Sequence, residues 1–370
     1  MKSLICITLI VAVITSPWAA ADTPPKPAIG SVFVIALENH NLTQPINLWG
    51  KQQILGNPAA PYMNSLITTG NPNAAQTSYA RAYYNVGVHT HPSEPNYIWS
   101  EAGTSFGVHT DADPSAAAGN AFKGVDHLTG LLNRAGIAWK NYQEDIQYTQ
   151  SPTRSACKKG KTKNIYNGTY WYCYVAKHNP MAFFSDTATQ NVYPLARLFE
   201  DLKDNTVGRY NWITPNEHNE AHTAPRGGFT YHGRHYTGDQ AAVASADHFL
   251  SIAIPKIMAS RAYQANGVII LWWDETAGAD DTHHPLPEIV ISPLAKGNAY
   301  ASTVPMSHAS DLKTMLEIFR LPALHYPIPK DETNVFGNGY NDMESANDLS
   351  DLFVPGVIPS TFGPAAASDR

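Results

Sequence analysis

The sequence predicts an α/β fold, a central and mostly parallel β-sheet with helices on both faces. Three observations predict it. Short continuous apolar runs of strand length recur along the chain, and such runs suit strands buried on both faces of a parallel sheet. Segments with helical periodicity lie between them. No internal repeat and no low-complexity tract points to a solenoid or a disordered chain instead.

The elements follow in order. Residues 1–21 read MKSLICITLIVAVITSPWAAA. A charged Lys2, an apolar run from Leu4 to Ile14, a break at Pro17 and small residues Ala19 to Ala21 are the parts of a cleaved secretory signal. The run is short for a membrane span. The expectation is a secreted or periplasmic bacterial protein, with a retained anchor as the alternative. A Pro-rich lead-in, 22–29, precedes the first strand candidate, Ser31–Leu37. Further strand candidates are Tyr210–Thr214, Gly267–Trp273 and Pro287–Ile291. Helical patterns cover Leu128–Ala135, Leu195–Lys203 and Asp239–Tyr263, the last interrupted by Pro255. Asp311–Leu321 places Leu312, Met315, Leu316 and Phe319 on one face. Residues of about 140–190 lack clear periodicity and read as an insertion. Residues 326–370 are rich in Pro, Gly, Asn and Asp and read as a C-terminal extension that wraps the surface or frays.

Composition narrows the function. Of 370 residues, 43% are hydrophobic and 15% charged, which argues for a folded chain. Against 25 Lys+Arg stand 31 Asp+Glu, a net charge of -6. A diffuse acidic balance argues against a nucleic-acid surface, which would want a basic stripe. Beyond the signal two cysteines remain, Cys157 and Cys173, and in an oxidising compartment they are expected to pair. The polar, Tyr-rich segment between them carries a local basic cluster and reads as a stapled surface insertion.

Four places carry chemistry. The first strand runs into Glu38-Asn39, and Gly267–Trp273 runs into Asp274-Glu275. Ligands bind at the carboxyl ends of strands in α/β sheets, and carboxylate and amide oxygens are hard ligands for a divalent cation. The alternative is that these residues face loops or cap helices. Third, Ser93 precedes Pro95, a first-turn helix residue. At a helix N-terminus a serine meets free N–H groups and the positive end of the dipole, which favour a phosphate dianion; the alternative is a plain N-cap. Fourth, Glu220 and His222 follow the Tyr210–Thr214 strand with His218 nearby, a density with metal-ligand character. Ser307-His308 precedes the Asp311 helix, and His283-His284 follows Asp274-Glu275. A decoy, Gly103-Thr-Ser-Phe-Gly107, fits the nucleophile elbow of serine hydrolases, yet no helical pattern follows it.

Together these segments resemble the phosphoesterase family of bacterial acid phosphatases and non-specific phospholipases C, in the alkaline phosphatase superfamily. The carriers are Glu38-Asn39, Pro92 to Tyr97, Ala102–Asp113, Ile213 to His222, Val268 to Glu275, Ile291–Lys296 and Ser307-His308, in the family's order over about residues 30–322. The resemblance implies an alkaline phosphatase-like catalytic domain over 22–325. It makes Ser93 the nucleophile and Asn96 a phosphoryl ligand, with His91, His218 and His284 as candidate phosphate contacts. Glu38, Asn39, Asp274 and Glu275 would surround the metal, and Glu220, His222 and His308 would complete a second metal or phosphate site. Three departures stand out. Glu220 occupies a position expected to be Asp, His40-Asn41-Leu42 follows Glu-Asn, and Tyr97 replaces the arginine of the sulfatase signature, which disfavours a sulfatase.

The expected function is metal-dependent hydrolysis of phosphate monoesters through a Ser93 phosphoenzyme. Mixed O and N ligands admit Zn, Ca, Mg, Mn or Fe. The rival readings are a phospholipase C acting on a phospholipid head group, with Trp99, Trp272 and Trp273 as lipid contacts, a metal-independent esterase using Ser105, and a secreted binding protein without catalysis.

Overall fold

The computed structural model describes residues 28–45, 48–87, 90–278, 281–330 and 343–363. The signal expected at 1–21 lies outside the described residues. In chain order the strands are β1 (Val32–Leu37), β2 (Thr77–Ala80), β3 (Trp139–Gln143), β4 (Ala156–Lys159), β5 (Trp171–Tyr174), β6 (Val192–Pro194), β7 (Tyr210–Thr214), β8 (Phe229–Tyr231), β9 (Arg234–Tyr236), β10 (Val268–Trp273), β11 (Glu288–Ile291) and β12 (Tyr300–Ser302). The helices are α1 (Pro61–Leu66), α2 (Glu94–Ala102), α3 (Leu128–Arg134), α4 (Ala196–Asp204), α5 (Asp239–Met258), α6 (Arg261–Gln264) and α7 (His308–Ile318).

Eight strands form one sheet in the order β12-β2-β11-β10-β1-β7-β3-β6. β11 runs antiparallel to both neighbours, and the other pairings are parallel. β1, β7 and β10 are buried along their whole lengths. Successive side chains point to opposite faces, so both faces of the sheet centre are covered. The cover comes from α2, α3 and α7, which pack on one another, and from α5, which packs on α1 and α4. The expected α/β fold with a mostly parallel sheet is therefore found. All four strand candidates and the Leu128, Leu195 and Asp311 helical patterns are present, with boundaries within a few residues. The Asp239–Tyr263 pattern is two helices, α5 and α6, and the break falls at Ala259-Ser260 and not at Pro255, which lies inside α5.

β2, β6 and β12 of the main sheet are not marked in the sequence reading, and two further features differ from it. The aperiodic segment of about 140–190 begins inside β3, a strand of the main sheet. Its sequence, WKNYQ, mixes apolar and polar residues because Asn141 and Gln143 are buried in hydrogen bonds to Asn179 and Thr214. Between β3 and β6 the chain forms the β4–β5 hairpin, in which Cys157 and Cys173 stand opposite each other and are joined by a disulfide. Second, the C-terminal segment does more than wrap. Leu349, Leu352 and Phe353 join the core, and Lys296 N–H donates to the Leu352 carbonyl. Trp99, Trp272 and Trp273 are core residues, fully buried, which removes them as lipid contacts. No helix among the described residues is long and apolar enough to cross a membrane.

Candidate active site

β10, β1 and β7 lie side by side and parallel, so their carboxyl ends deliver the residues that follow them to one place. The turn after β1 is made by Asn39, whose φ of 47° is left-handed, a region that asparagine tolerates better than most residues. That turn aims its backbone N–H at Asp274 Oδ1, 2.9 Å away. Its side-chain amide donates to Glu275 Oε1 at 3.0 Å and Glu38 Oε2 at 3.1 Å, and approaches Asp274 Oδ2 at 3.4 Å. One asparagine thus gathers three buried carboxylates from two strand ends.

Ser93 comes to the same cluster from helix α2. It occupies the N-cap position, but its side chain makes no capping bond. The hydroxyl instead donates to Glu38 Oε2 at 3.0 Å and lies 3.4 Å from Glu275 Oε1. The plain N-cap reading is therefore wrong in its side-chain geometry. The acid at the first helical position, Glu94, is turned away and held by Thr110, the Ala112 N–H and Asn120. Glu94 therefore does not compete for the Ser93 hydroxyl, which meets Glu38 and Glu275 instead. His91 Nδ1 meets Glu275 Oε1 at 2.7 Å, at the half-exposed mouth. Asn96 donates to the Thr90 carbonyl at 2.7 Å and approaches Glu275 Oε2 at 3.4 Å, while its Oδ1 has no partner among the described residues.

On the far side of Glu38 lies a second group that sequence reasoning only half found. Glu38 Oε1 accepts from the Tyr97 hydroxyl at 2.6 Å and faces His178 Nε2 at 3.3 Å. His178 Nδ1 lies 2.8 Å from Glu220 Oε1, and the His178 ring stacks on Tyr97. One donor atom each from Glu38, His178 and Glu220 fall within 4.8 Å of one another. The His222 ring is 5.7 Å from that of His178, and its Nδ1 is held by Thr223. His178 and the role of Tyr97 were missed. His178 sits in the aperiodic segment, Lys177-His178-Asn179, where no strand end marks it, and only its placement beside Glu38 reveals it.

Electrostatics make the cluster unusual. Burial, then the Asp274 and Glu220 charges, hold the Glu38 carboxyl well above the usual range. Burial, then Asp274, push Glu275 up to about 8. Burial, opposed in part by His222, holds Glu220 well above its ordinary value. Burial, with the charges of His222 and Lys177, pulls His178 down to about 3 and keeps it neutral.

These residues fit a divalent cation. Neutral His178, with Nδ1 against Glu220, presents its Nε2 lone pair to Glu38 Oε1 without a hydrogen bond, and Glu220 Oε2 is also unpartnered. Electron-rich atoms facing one another in a buried space are relieved by a cation. The carboxylate on the far ring nitrogen is the usual support of a metal-binding histidine.

Two predicted residues, His218 and His284, bond elsewhere, and a third, His308, reaches only the Asp274 backbone. His218 Nδ1 bonds the Thr223 carbonyl at 2.9 Å. His284 Nδ1 bonds Asp281 at 2.6 Å. His308 is buried with both ring nitrogens used, Nε2 on the Asp274 carbonyl and Nδ1 on the Tyr83 hydroxyl, each at 2.6 Å. It positions the backbone that carries Asp274 and has no free nitrogen to give a ligand. The elbow decoy fails on context: Ser105 follows the C-cap Gly103 of α2, is buried, and accepts from the Gly107 N–H.

The phosphoesterase family model matches residues 74–322, more than half of the chain. A phosphatidylinositol-3-phosphatase of Mycobacterium tuberculosis is 24% identical over 300 residues, which are 81% of this chain and 80% of that one. A phosphate-repressible acid phosphatase of Penicillium chrysogenum is 30% identical over 138 residues, 36% of this chain but only 30% of that one. Among solved structures, a protein of the alkaline phosphatase superfamily from Vibrio parahaemolyticus aligns over 84% of this chain and 76% of its own, at 12% identity and a TM-score of 0.48.

Proposed function

Since the chain belongs to the phosphoesterase family and is a hydrolase of phosphoric esters, we propose that it hydrolyses phosphate monoesters through Ser93, with the help of a divalent cation. One observation carries this reading: the Ser93 hydroxyl, at the start of α2, forgoes its capping bond and joins the buried Glu38–Asn39–Asp274–Glu275 cluster. The names of the mycobacterial and fungal relatives, all phosphatases, support the monoester over the diester.

Glu38, Asn39, Asp274 and Glu275 would hold the cation, with Glu220, His178 and His222 lining the adjoining position. When bound, it supplies charge neutralisation at the phosphoryl group and favours the serine alkoxide. The chain's own residues do the rest. The Ser93 Oγ–H already points at Glu38 Oε2, the acceptor for its proton. Oγ forms the new bond to phosphorus as the ester P–O bond breaks, and the leaving alkoxide takes a proton at the half-exposed mouth, beside His91. Asn96 and His222 hold equatorial oxygens. Water then cleaves the phosphoserine, and the proton returns to Oγ. His308 holds Asp274 in place through its backbone.

The reading extends to the remaining expectations. Residues 22–325 form the catalytic domain, followed by the extension. The disulfide fits an oxidising compartment and a secreted protein. The test is Ser93→Ala. It should abolish turnover of p-nitrophenyl phosphate while elemental analysis still finds the metal. Turnover that survives the substitution would overturn the nucleophile assignment.

A further inference from the structure

Residues 146–185 contain six Lys or Arg and no Asp or Glu, in a chain whose net charge is -6. Most of these cations lie on the β4–β5 hairpin. Arg154, Lys158, Lys159, Lys161 and Lys163 are exposed. Asp111 and Asp113 meet only the base of the hairpin, at Lys177 and Ser155. No carboxylate among the described residues pairs with the four lysines from 158 to 163.

The same hairpin carries Ile165, 72% exposed, and Tyr170, 40% exposed, two of the three large hydrophobic residues exposed among the described residues. The Lys163 ammonium lies 5.8 Å from the Tyr170 ring centre. The loop that bears them is fixed. Asn164 donates to Glu144 at 2.6 Å, the Tyr166 carbonyl bonds His248, and Asn167 donates to Asn219. Tyr166 is buried in the core, so Ile165 is held outward between two anchored neighbours, at no further cost in chain entropy on binding.

The hairpin also borders the active site. A cavity of about 350 Å³ at its base is lined by the disulfide, Asp111, Lys177 and Glu217. Glu217 contacts His222 at 3.4 Å, and Lys177 precedes His178.

We propose that this disulfide-stapled hairpin docks the protein on an anionic phospholipid surface. The lysines meet the headgroup phosphates, and Ile165 and Tyr170 enter the interface. A basic cluster beside exposed apolar and aromatic tips matches the charge and depth profile of such a surface. Docking there brings the cavity at the base of the hairpin, and the candidate site beside it, toward the headgroup layer. The identity of that site rests on the phosphoesterase reading; the docking itself does not.

The test is co-sedimentation of the full protein with vesicles of phosphatidylcholine alone and of phosphatidylcholine mixed with phosphatidylglycerol, at low and near-physiological salt. Binding is expected only to the anionic vesicles, falling as salt rises. A variant carrying K158Q, K159Q, K161Q and K163Q should lose at least about 100-fold in partitioning, since each surface lysine is worth about fivefold. Ile165→Ser should keep most of the low-salt binding and lose the salt-resistant remainder. Both variants should turn over soluble p-nitrophenyl phosphate as the parent does. Equal binding to neutral vesicles, no binding to either, or a quadruple variant that binds like the parent would overturn the proposal. So would retention on heparin or DNA without vesicle binding, which would identify another polyanion. Failure of soluble turnover in the parent counts against the enzymatic reading and leaves the docking test intact.

Discussion

The Ser93 hydroxyl donates to Glu38 Oε2 across 3.0 Å, although the two residues lie 55 positions apart in the chain. This bond joins the first turn of α2 to the end of β1. It makes Glu38 the residue that joins Ser93, the proposed nucleophile, to the second cluster, since its other oxygen meets Tyr97 and His178. Glu38→Gln keeps the shape and removes the charge. Turnover should fall at least about 10³-fold, as for an interaction required in the transition state, and bound metal measured by elemental analysis should fall with it. Retained metal and activity would count against both roles of Glu38.

Chelation gives a second prediction. Treatment with EDTA should abolish monoester hydrolysis, and a divalent ion should restore it. Glu275 without metal is pushed up to about 8, and ligation needs its carboxylate. Metal affinity should therefore weaken as pH falls below about 8, with protons released on binding. Calorimetric titration in buffers of different ionisation enthalpy checks the proton count. Activity indifferent to chelators would remove the cation from the mechanism.

Two buried histidines shape the acid side of stability. Burial, then the charges of His222 and Lys177, pull His178 down to about 3, and burial pulls His308 down to about 4. In the unfolded chain each titrates near about 6.5. At these two sites the unfolded state therefore binds more protons between those values, and their contribution to stability falls as pH drops below about 6.5. The raised carboxyls Glu38, Glu220 and Glu275 act in the opposite sense, so the histidine contribution is read as the slope of Tm against pH from 7 to 5, parent minus variant, in the chelated protein. The parent's Tm minus that of His308→Gln should decrease as pH drops, and equal slopes would refute the assignment.

The alkaline side depends on a different histidine. His127 is buried between Glu101 Oε2 at 2.8 Å and Asp186 Oδ1 at 3.0 Å. Burial pulls its pKa down, but the hydrogen bonds to Asp186 and Glu101 outweigh it and push it up to about 9. Its contribution is fully present below about 6.5 and is lost as pH rises through about 9. His127→Ala should destabilise the fold by about 3 kcal/mol at pH 7, because it leaves the buried Glu101 without its cationic partner, with only the Thr129 N–H and hydroxyl donating to it. Denaturant titrations at pH 7 and pH 10 should show the difference between variant and parent shrinking at the higher pH.

The disulfide gives a prediction from loop closure. It closes a loop with a sequence separation of 16, and a closed loop of about 15 residues is worth about 3 kcal/mol. Replacing both cysteines by serine should lower stability by about that amount. It should leave kcat for soluble esters nearly unchanged, since neither sulfur touches the catalytic cluster. A large kcat loss would mean that the hairpin positions Glu217 and His222 more tightly than the contacts indicate.

Much of this architecture was legible in the sequence. SVFVIAL and GVIILWW are apolar throughout because both faces of β1 and β10 are covered, and composition alone reports that. Glu38-Asn39 and Asp274-Glu275 stood out because polar residues directly after buried strands emerge where parallel sheets bind ligands. Ser93 was marked by Pro95. β3 was not legible, because its buried polar residues are satisfied by distant partners and break the apolar pattern. His178 was not legible either, since a histidine in an irregular segment carries no periodic signal.

Local patterning marks four strands of the main sheet, β1, β7, β10 and β11, four helical segments, and the residues that leave the ends of the central strands, because burial imposes its period locally. Which of the candidates meet follows from long-range packing. Parallel pairing of β10, β1 and β7 brings Glu38, Asn39, Asp274 and Glu275 to one edge, and the path of the chain brings His178 to Glu38. The same packing sends His218 and His284 to loop partners and commits both nitrogens of His308 to hydrogen bonds. Proximity between residues hundreds of positions apart is set by strand order and hydrogen-bond partners, and neither is written in local spacing.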